Sequence, residues 1–215
     1  MAKTDENITV EERSFLGINL SSDIKRANYL ARVFAIFYET LLEIWLKNQG
    51  FESMGRPSIY DKNENPLRKT YDYTLKKNGE YFIVEAKCYL AYSEFKHLEL
   101  TSGSLELLLG GEDNFNFFCN LGQKEPYEKY KFYYPHSSDD YFTPDGKILI
   151  WSKVKKSEIE KIKNNYKFSD IFSIEDAIND MIKEAKSGSL IGKEYHNLIS
   201  KYKEWSDELF GKLIG

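Results

Sequence analysis

The stretch 71–87, reading YDYTLKKNGEYFIVEAK, restricts this chain more than any other. Asn78-Gly79 between two apolar-rich runs is a two-residue turn signal and predicts an antiparallel hairpin. With those two residues at the centre, Lys77 faces Glu80, Leu75 faces Phe82 and Tyr73 faces Val84. The next step outward sets Asp72 against Glu85. Opposed residues hold their Cβ atoms about 4.5–5.5 Å apart, where like charges repel. Lys87 follows one side-chain period later on the same face, roughly 6.6 Å beyond Glu85. A loop of two or four residues keeps this pairing, whereas three residues send Asp72 and Glu85 to opposite faces.

Two explanations of these charges follow. One is a solvated sheet rim, with Glu85 and Lys87 as a surface ion pair worth under about 1 kcal/mol. The other is a divalent cation held between the carboxylates, hard oxygen donors of the kind Mg²⁺ takes. Tyr81, Phe82, Ile83 and Val84 are apolar at successive positions, which reads as a strand buried on both faces. Charges that close such a strand mark a candidate functional site.

With 215 residues, 41% of them hydrophobic and 30% charged, the chain reads as one ordinary globular domain over 1–215. Its core is expected at about 23–154, with a helical C-terminal extension at about 157–215. The two cysteines, Cys88 and Cys119, sit in apolar runs and read as buried thiols of a reducing cytoplasm rather than a disulfide framework. The first residues lack the pattern of a signal peptide, and no apolar run is long enough to span a membrane. A net charge of −4 excludes a generic polyanion binder. The charge is uneven, however: residues 56–87 sum to +2 and 124–168 to +3. A nucleic-acid face is compatible with that distribution.

Along the chain, Ser21-Ser22-Asp23 and Gln49-Gly50 bracket a long helix with Leu30, Val33, Phe34, Phe37, Leu41, Ile44 and Trp45 at helical spacing. Glu39 lies far from the centre of that stripe. Residues 51–70 are rich in breakers and read as a loop or a short irregular strand carrying Arg56, Arg68 and Lys69; a solvated segment and a phosphate-holding one are both compatible with them. Residues 88–99 are ambiguous. A short helix over 105–109 precedes strands expected at 115–119, 130–134 and 147–154. The polar and aromatic excursion between the last two contains His136, a loop residue able to reach phosphates or base edges. From Ser157 the pattern is helical, over 157–165, 174–186 and 193–213. Lys153, Lys155 and Lys156 begin a basic run that is either a solvated face or a phosphate track. Strands embedded among helices predict an α/β fold with a central mixed sheet flanked by helices.

Asp72, a hairpin, and Glu85-Ala86-Lys87 closing an apolar strand resemble the PD-(D/E)XK nuclease superfamily, the fold of many restriction endonucleases. The resemblance covers roughly residues 27–154 in order of elements, with Tyr71 in place of the proline that names the motif. It implies a restriction endonuclease-like fold and a catalytic set of Asp72, Glu85 and Lys87, with Glu39 as the positional match for an upstream helical Glu. Mg²⁺, with Mn²⁺ able to substitute, is expected on Asp72, Glu85 and the carbonyl of Ala86. Arg56, Arg68, Lys69, His136, Lys153, Lys155 and Lys156 are expected toward DNA. Gln123 and Tyr127 have the spacing of a further motif in some members, but Pro126 argues against the helix that motif needs.

The residues suit phosphodiester hydrolysis, which needs an activated water, neutralised transition-state charge and a protonated leaving oxygen. The function expected is a type II restriction-type endonuclease acting on double-stranded DNA as a homodimer, with no membrane partner. The alternatives are a Holliday junction resolvase or DNA-repair nuclease of the same fold, and a catalytically silent α/β protein that binds nucleic acid.

Overall fold

The structure is a computed structural model that describes residues 37–67, 69–87, 99–111, 113–135 and 140–214. The chain groups into two compact units, Trp45–Asn179 and a unit made of residues through Ile44 together with those from Asp180 onward.

The larger unit is built on a mixed five-stranded sheet in the order β1-β3-β4-β8-β10. These strands are β1 (Glu52–Ser53), β3 (Tyr73–Lys77), β4 (Glu80–Lys87), β8 (Gly146–Trp151) and β10 (Asp170–Ser173). The first three pair antiparallel and the last three parallel. Asn78 at φ 53° and Gly79 at φ 88° form the turn between β3 and β4. Positive φ at both central residues is what a hairpin turn of matching twist requires, and Asn-Gly accepts it with least strain. The observed partners, Tyr73 with Val84 through Lys77 with Glu80, are those the turn predicts.

Both faces of the sheet are covered, which explains the continuous apolar runs of β4 and β8. On one face Ile83, Leu149 and Trp151 meet Leu105 and Leu108 of α2 (Ser102–Leu109) and Phe115 and Phe118 of α3 (Asp113–Asn120). A smaller antiparallel sheet joins the same core through Ile59, Phe132 and Phe142. Its strands are β2 (Ser58–Asp61), β6 (Tyr130–Tyr133) and β7 (Tyr141–Phe142). On the other face Trp45 and Phe51 contact Phe172, and Phe51 also meets Phe82. Trp45 ends the apolar stripe of α1, helical over residues 37–48. The pairs β5 (Glu99–Leu100) and β9 (Lys153–Val154) form a separate two-stranded piece.

Four expectations change, the first being that the strand expected over 147–154 ends at Trp151, with Lys153–Val154 a separate strand paired with Glu99–Leu100. Residues 115–119 are helical rather than a strand. Phe115, Phe118 and Cys119 are all buried at the i, i+3, i+4 spacing of one helix face, so packing overrides the β preference of the aromatics. The region after Ser157 is not uniformly helical, because β10 lies between α4 (Ile159–Tyr166) and α5 (Ile174–Ser187). Only four residues long, β10 is held by its parallel register with β8. The last helix, α6 (Leu190–Ile214), begins before Gly192, which falls inside its first turn.

In the smaller unit, Phe37 of α1 lies edge-on to Tyr202 of α6 at 4.9 Å, and the Thr40 and Tyr202 hydroxyls are 3.3 Å apart. Among the described residues no helix is long and apolar enough to cross a membrane.

One buried charge ties the large unit together. Lys147 on β8 is 0% exposed, and its Nζ donates to the carbonyls of Phe118 at 3.1 Å, Cys119 at 2.5 Å and Leu121 at 2.5 Å. These carbonyls end α3, where acceptors lack intrahelical donors and the helix dipole favours a cation. Burial pushes the Lys147 pKa down to about 8, which keeps the ammonium protonated at pH 7. Lys147→Met should cost about 3 kcal/mol by leaving these acceptors unpaired, read as a lower urea midpoint at unchanged slope. The folded pKa is the lower one, so between about pH 8 and pH 10 the unfolded chain holds the extra proton. The stability of the native chain relative to that variant should therefore rise over this interval.

Candidate active site

Strand β4 carries the site because it is paired on both edges and its last turn of side chains reaches the end of the core. Ile83, Glu85 and Lys87 alternate onto one face, beside Lys147, Leu149 and Trp151 of β8. Glu85 and Lys87 form an ion pair at 3.1 Å, with side chains 13% and 18% exposed. The Lys87 ammonium also lies 5.2 Å from the centre of the Phe115 ring. The pair is therefore half-sheltered under α3 rather than a solvated rim.

Asp72 reaches the site by a different route from the one its register predicts. The β3–β4 ladder ends at Tyr73 with Val84, one step short of Asp72 with Glu85. The Asp72 Oδ2 instead accepts the main-chain N–H of Ala86 at 2.8 Å. The strand geometry explains why this donor is available. Thr74 points its main chain at the β1 side, donating to the Gly55 carbonyl at 2.7 Å and accepting from the Met54 N–H at 2.8 Å. Alternate residues point the other way, so Tyr73 and Leu75 face β4 while Phe82, Val84 and Ala86 face β3. Ala86 is the first of these past the ladder's end, and a carboxylate takes the place of a main-chain acceptor. The Ala86 carbonyl is directed to the same edge.

The chain bends at Asp72 because Tyr71 enters the core on the Ile83 face, its ring 5.1 Å from that of Phe118. Strict alternation would send Tyr71 to the opposite face. Its hydroxyl is buried and has no hydrogen-bond partner among the described residues. Burial and then the nearby Glu85 charge push its pKa well above the ordinary tyrosine value. Tyr71 is a residue of this site that sequence reasoning missed, and periodicity argued against it.

Arg56 completes the cluster, with its guanidinium 3.5 Å from Asp72 Oδ1. The same Thr74 hydrogen bonds anchor the loop that carries it. Gly55 adopts φ 82°, and a Cβ there would lie 2.7 Å from the Pro135 ring, so only glycine lets this loop close against the small sheet. Thr70 adds a hydroxyl bond to the Pro57 carbonyl at 2.9 Å.

The other expected site residues lie elsewhere. Arg68 and His136 fall outside the described residues. Lys69 stands 4.3 Å over the Phe117 ring. Lys153 is exposed on β9, Lys155 pairs with Glu158 at 3.0 Å and Lys156 with Asp176 at 3.9 Å. Glu158 also accepts the Ser102 N–H at 2.7 Å at the start of α2, so the contact of Lys155 belongs to a helix cap. That N–H and Lys155 hold the Glu158 carboxyl down to about 2. Glu39 belongs to the smaller unit, whereas Asp72, Glu85 and Lys87 belong to the larger. Pro126 precedes a single 3₁₀ turn at Tyr127–Lys129, and Gln123 donates to the Asn165 carbonyl, so these residues form no helical motif.

The donors fit a small hard cation. Two carboxylates and one carbonyl are all-oxygen ligands, and Mg²⁺ binds through one or two carboxylates while keeping sites for water and phosphate oxygens. Among the described residues no three or more His, Cys, Asp or Glu side chains group together as metal ligands.

No family model, curated protein or solved structure matches this chain.

The Asp72–Ala86 bond has a direct test. Asp72→Ala should speed hydrogen exchange of the Ala86 amide about tenfold or more, the equivalent of about 1.4 kcal/mol, while the Val84 amide stays protected. Asp72→Asn, which keeps an acceptor, should preserve most of the protection.

Proposed function

We propose that this chain is a divalent-metal-dependent DNA endonuclease of the type II restriction kind, with a PD-(D/E)XK-like site at the open end of the β3–β4 hairpin. The observation that carries this reading is the meeting of Asp72, the Ala86 main chain, Glu85 and Lys87 where the ladder stops. The strand order supports it too: an antiparallel hairpin next to a parallel pair leaves the acid-x-lysine strand central.

In this reading Asp72, Glu85 and the Ala86 carbonyl would hold Mg²⁺, or Mn²⁺ in its place. When bound, the ion would supply Lewis acidity and neutralise phosphate charge. The protein's own groups do the rest. Lys87, on the same face as Glu85, presents its Nζ to the reacting phosphate or to the attacking water. In the overall reaction a water oxygen bonds to phosphorus, one bridging P–O bond breaks, and the leaving oxygen takes a proton. The Ala86 amide holds Asp72 in place, and Phe115 shields Lys87 from bulk water. Double-stranded DNA is the proposed substrate, and a homodimer would bring two such sites to two strands.

The test is incubation of purified protein with plasmid DNA in Mg²⁺ or in EDTA. Discrete fragments in Mg²⁺ and none in EDTA are expected, with Asp72→Ala and Lys87→Ala each lowering cleavage at least a hundredfold, about 2.7 kcal/mol. Cleavage confined to branched substrates would indicate a resolvase or repair nuclease. Unchanged cleavage by both variants would sink the mechanism.

A further inference from the structure

The Arg56–Asp72 pair is peculiar in its asymmetry. Asp72 is 21% exposed and bonded to the sheet, whereas Arg56 is 53% exposed on a loop whose main chain is pinned by Thr74 and Gly55. A carboxylate this sheltered needs compensating charge, and Arg56 contributes it. At 3.5 Å and half in solvent, the contact is worth under about 1 kcal/mol. Its fork of donors matches a phosphate as well as it matches a carboxylate. A phosphodiester approaching Asp72 would meet like charge, and Arg56 is a cation already in contact with that carboxylate.

We propose that Arg56 is a two-position counter-ion: it pairs with Asp72 in the free protein and moves to a non-bridging phosphate oxygen when nucleic acid enters. The proposal rests on the nuclease reading for the nature of the anion, and it makes Arg56 a substrate-binding residue beyond the metal-binding set. The loop backbone stays fixed, so the transfer is a side-chain rotation.

The test measures retention of linear duplex DNA in EDTA over a salt series, where no cleavage occurs. The 215-residue chain is compared with Arg56→Ala, Arg56→Lys, Asp72→Asn and the double variant R56A/D72N. A phosphate contact by Arg56 predicts that the slope of log affinity against log salt loses about 1 on R56A, in both the native and the D72N backgrounds. Arg56→Lys should keep the slope and lose several-fold in affinity. If R56A changes binding only where Asp72 is charged, Arg56 is merely that carboxylate's partner and the proposal falls. A slope unchanged in both backgrounds, or a native chain that retains no duplex at low salt, also overturns it. Plasmid cleavage in Mg²⁺ is scored separately. A slope loss without cleavage would refute the nuclease reading alone, and cleavage without a slope loss would refute this one alone.

Discussion

A single desolvated ammonium, Lys147, sets the arrangement on which the rest of the large unit depends. Burying a charge is expensive unless its hydrogen bonds are all met, and here three carbonyls at the end of α3 meet them. The rings of Phe118 and Phe168 lie 5.8 and 5.1 Å from the same nitrogen. The helix therefore has one place to end on the sheet. That placement brings Phe115 over Lys87 and Phe118 against Tyr71, so the roof of the candidate site follows from a contact two strand positions and more from its carboxylates.

The site itself is an interruption. The hairpin ladder stops at Tyr73, Tyr71 drops into the core, and the residue between them turns its carboxylate onto the next main-chain donor. A continuous ladder would have spent the Ala86 N–H and carbonyl on strand pairing. Ending it at Tyr73 gives the Ala86 N–H to the Asp72 carboxylate instead, and each carboxylate there has a basic partner, Arg56 for Asp72 and Lys87 for Glu85. Paired in this way, like charges can occupy the end of a mostly apolar strand without driving it apart.

Much of this was legible in the sequence, and the failures share a cause. Asn78-Gly79 determined the turn type and the register as far as Tyr73, and the GKILIW run of β8 was evident from its apolar continuity. These are local signals. Residues 115–119 misled because FNFFC suits a strand as well as a helix until its partners are known, and the partners include Tyr71 and residues of β4 and β8. The strand β10, four residues between two helices, exists through its parallel neighbour and carries no turn signal of its own. Tyr71 and Lys147 are the clearest cases. Alternation puts Tyr71 on the wrong face, and a lysine opening an apolar strand gives no hint that a distant helix supplies its acceptors.

The Asp72–Ala86 bond spans 14 residues of sequence, whereas the contact of Tyr81 with Asp145 beside the β4–β8 pairing spans 64. Loop-closure entropy grows by about 0.6 kcal/mol per doubling, so the longer closure is dearer by about 1.3 kcal/mol before any sheet stability is gained. Hairpins form in about 1–10 μs, well ahead of most parallel pairing. Both acidic residues of the candidate site and its lysine thus sit on the segment of lowest contact order in the sheet, and they can come together on a nascent hairpin before β8 arrives to bury it.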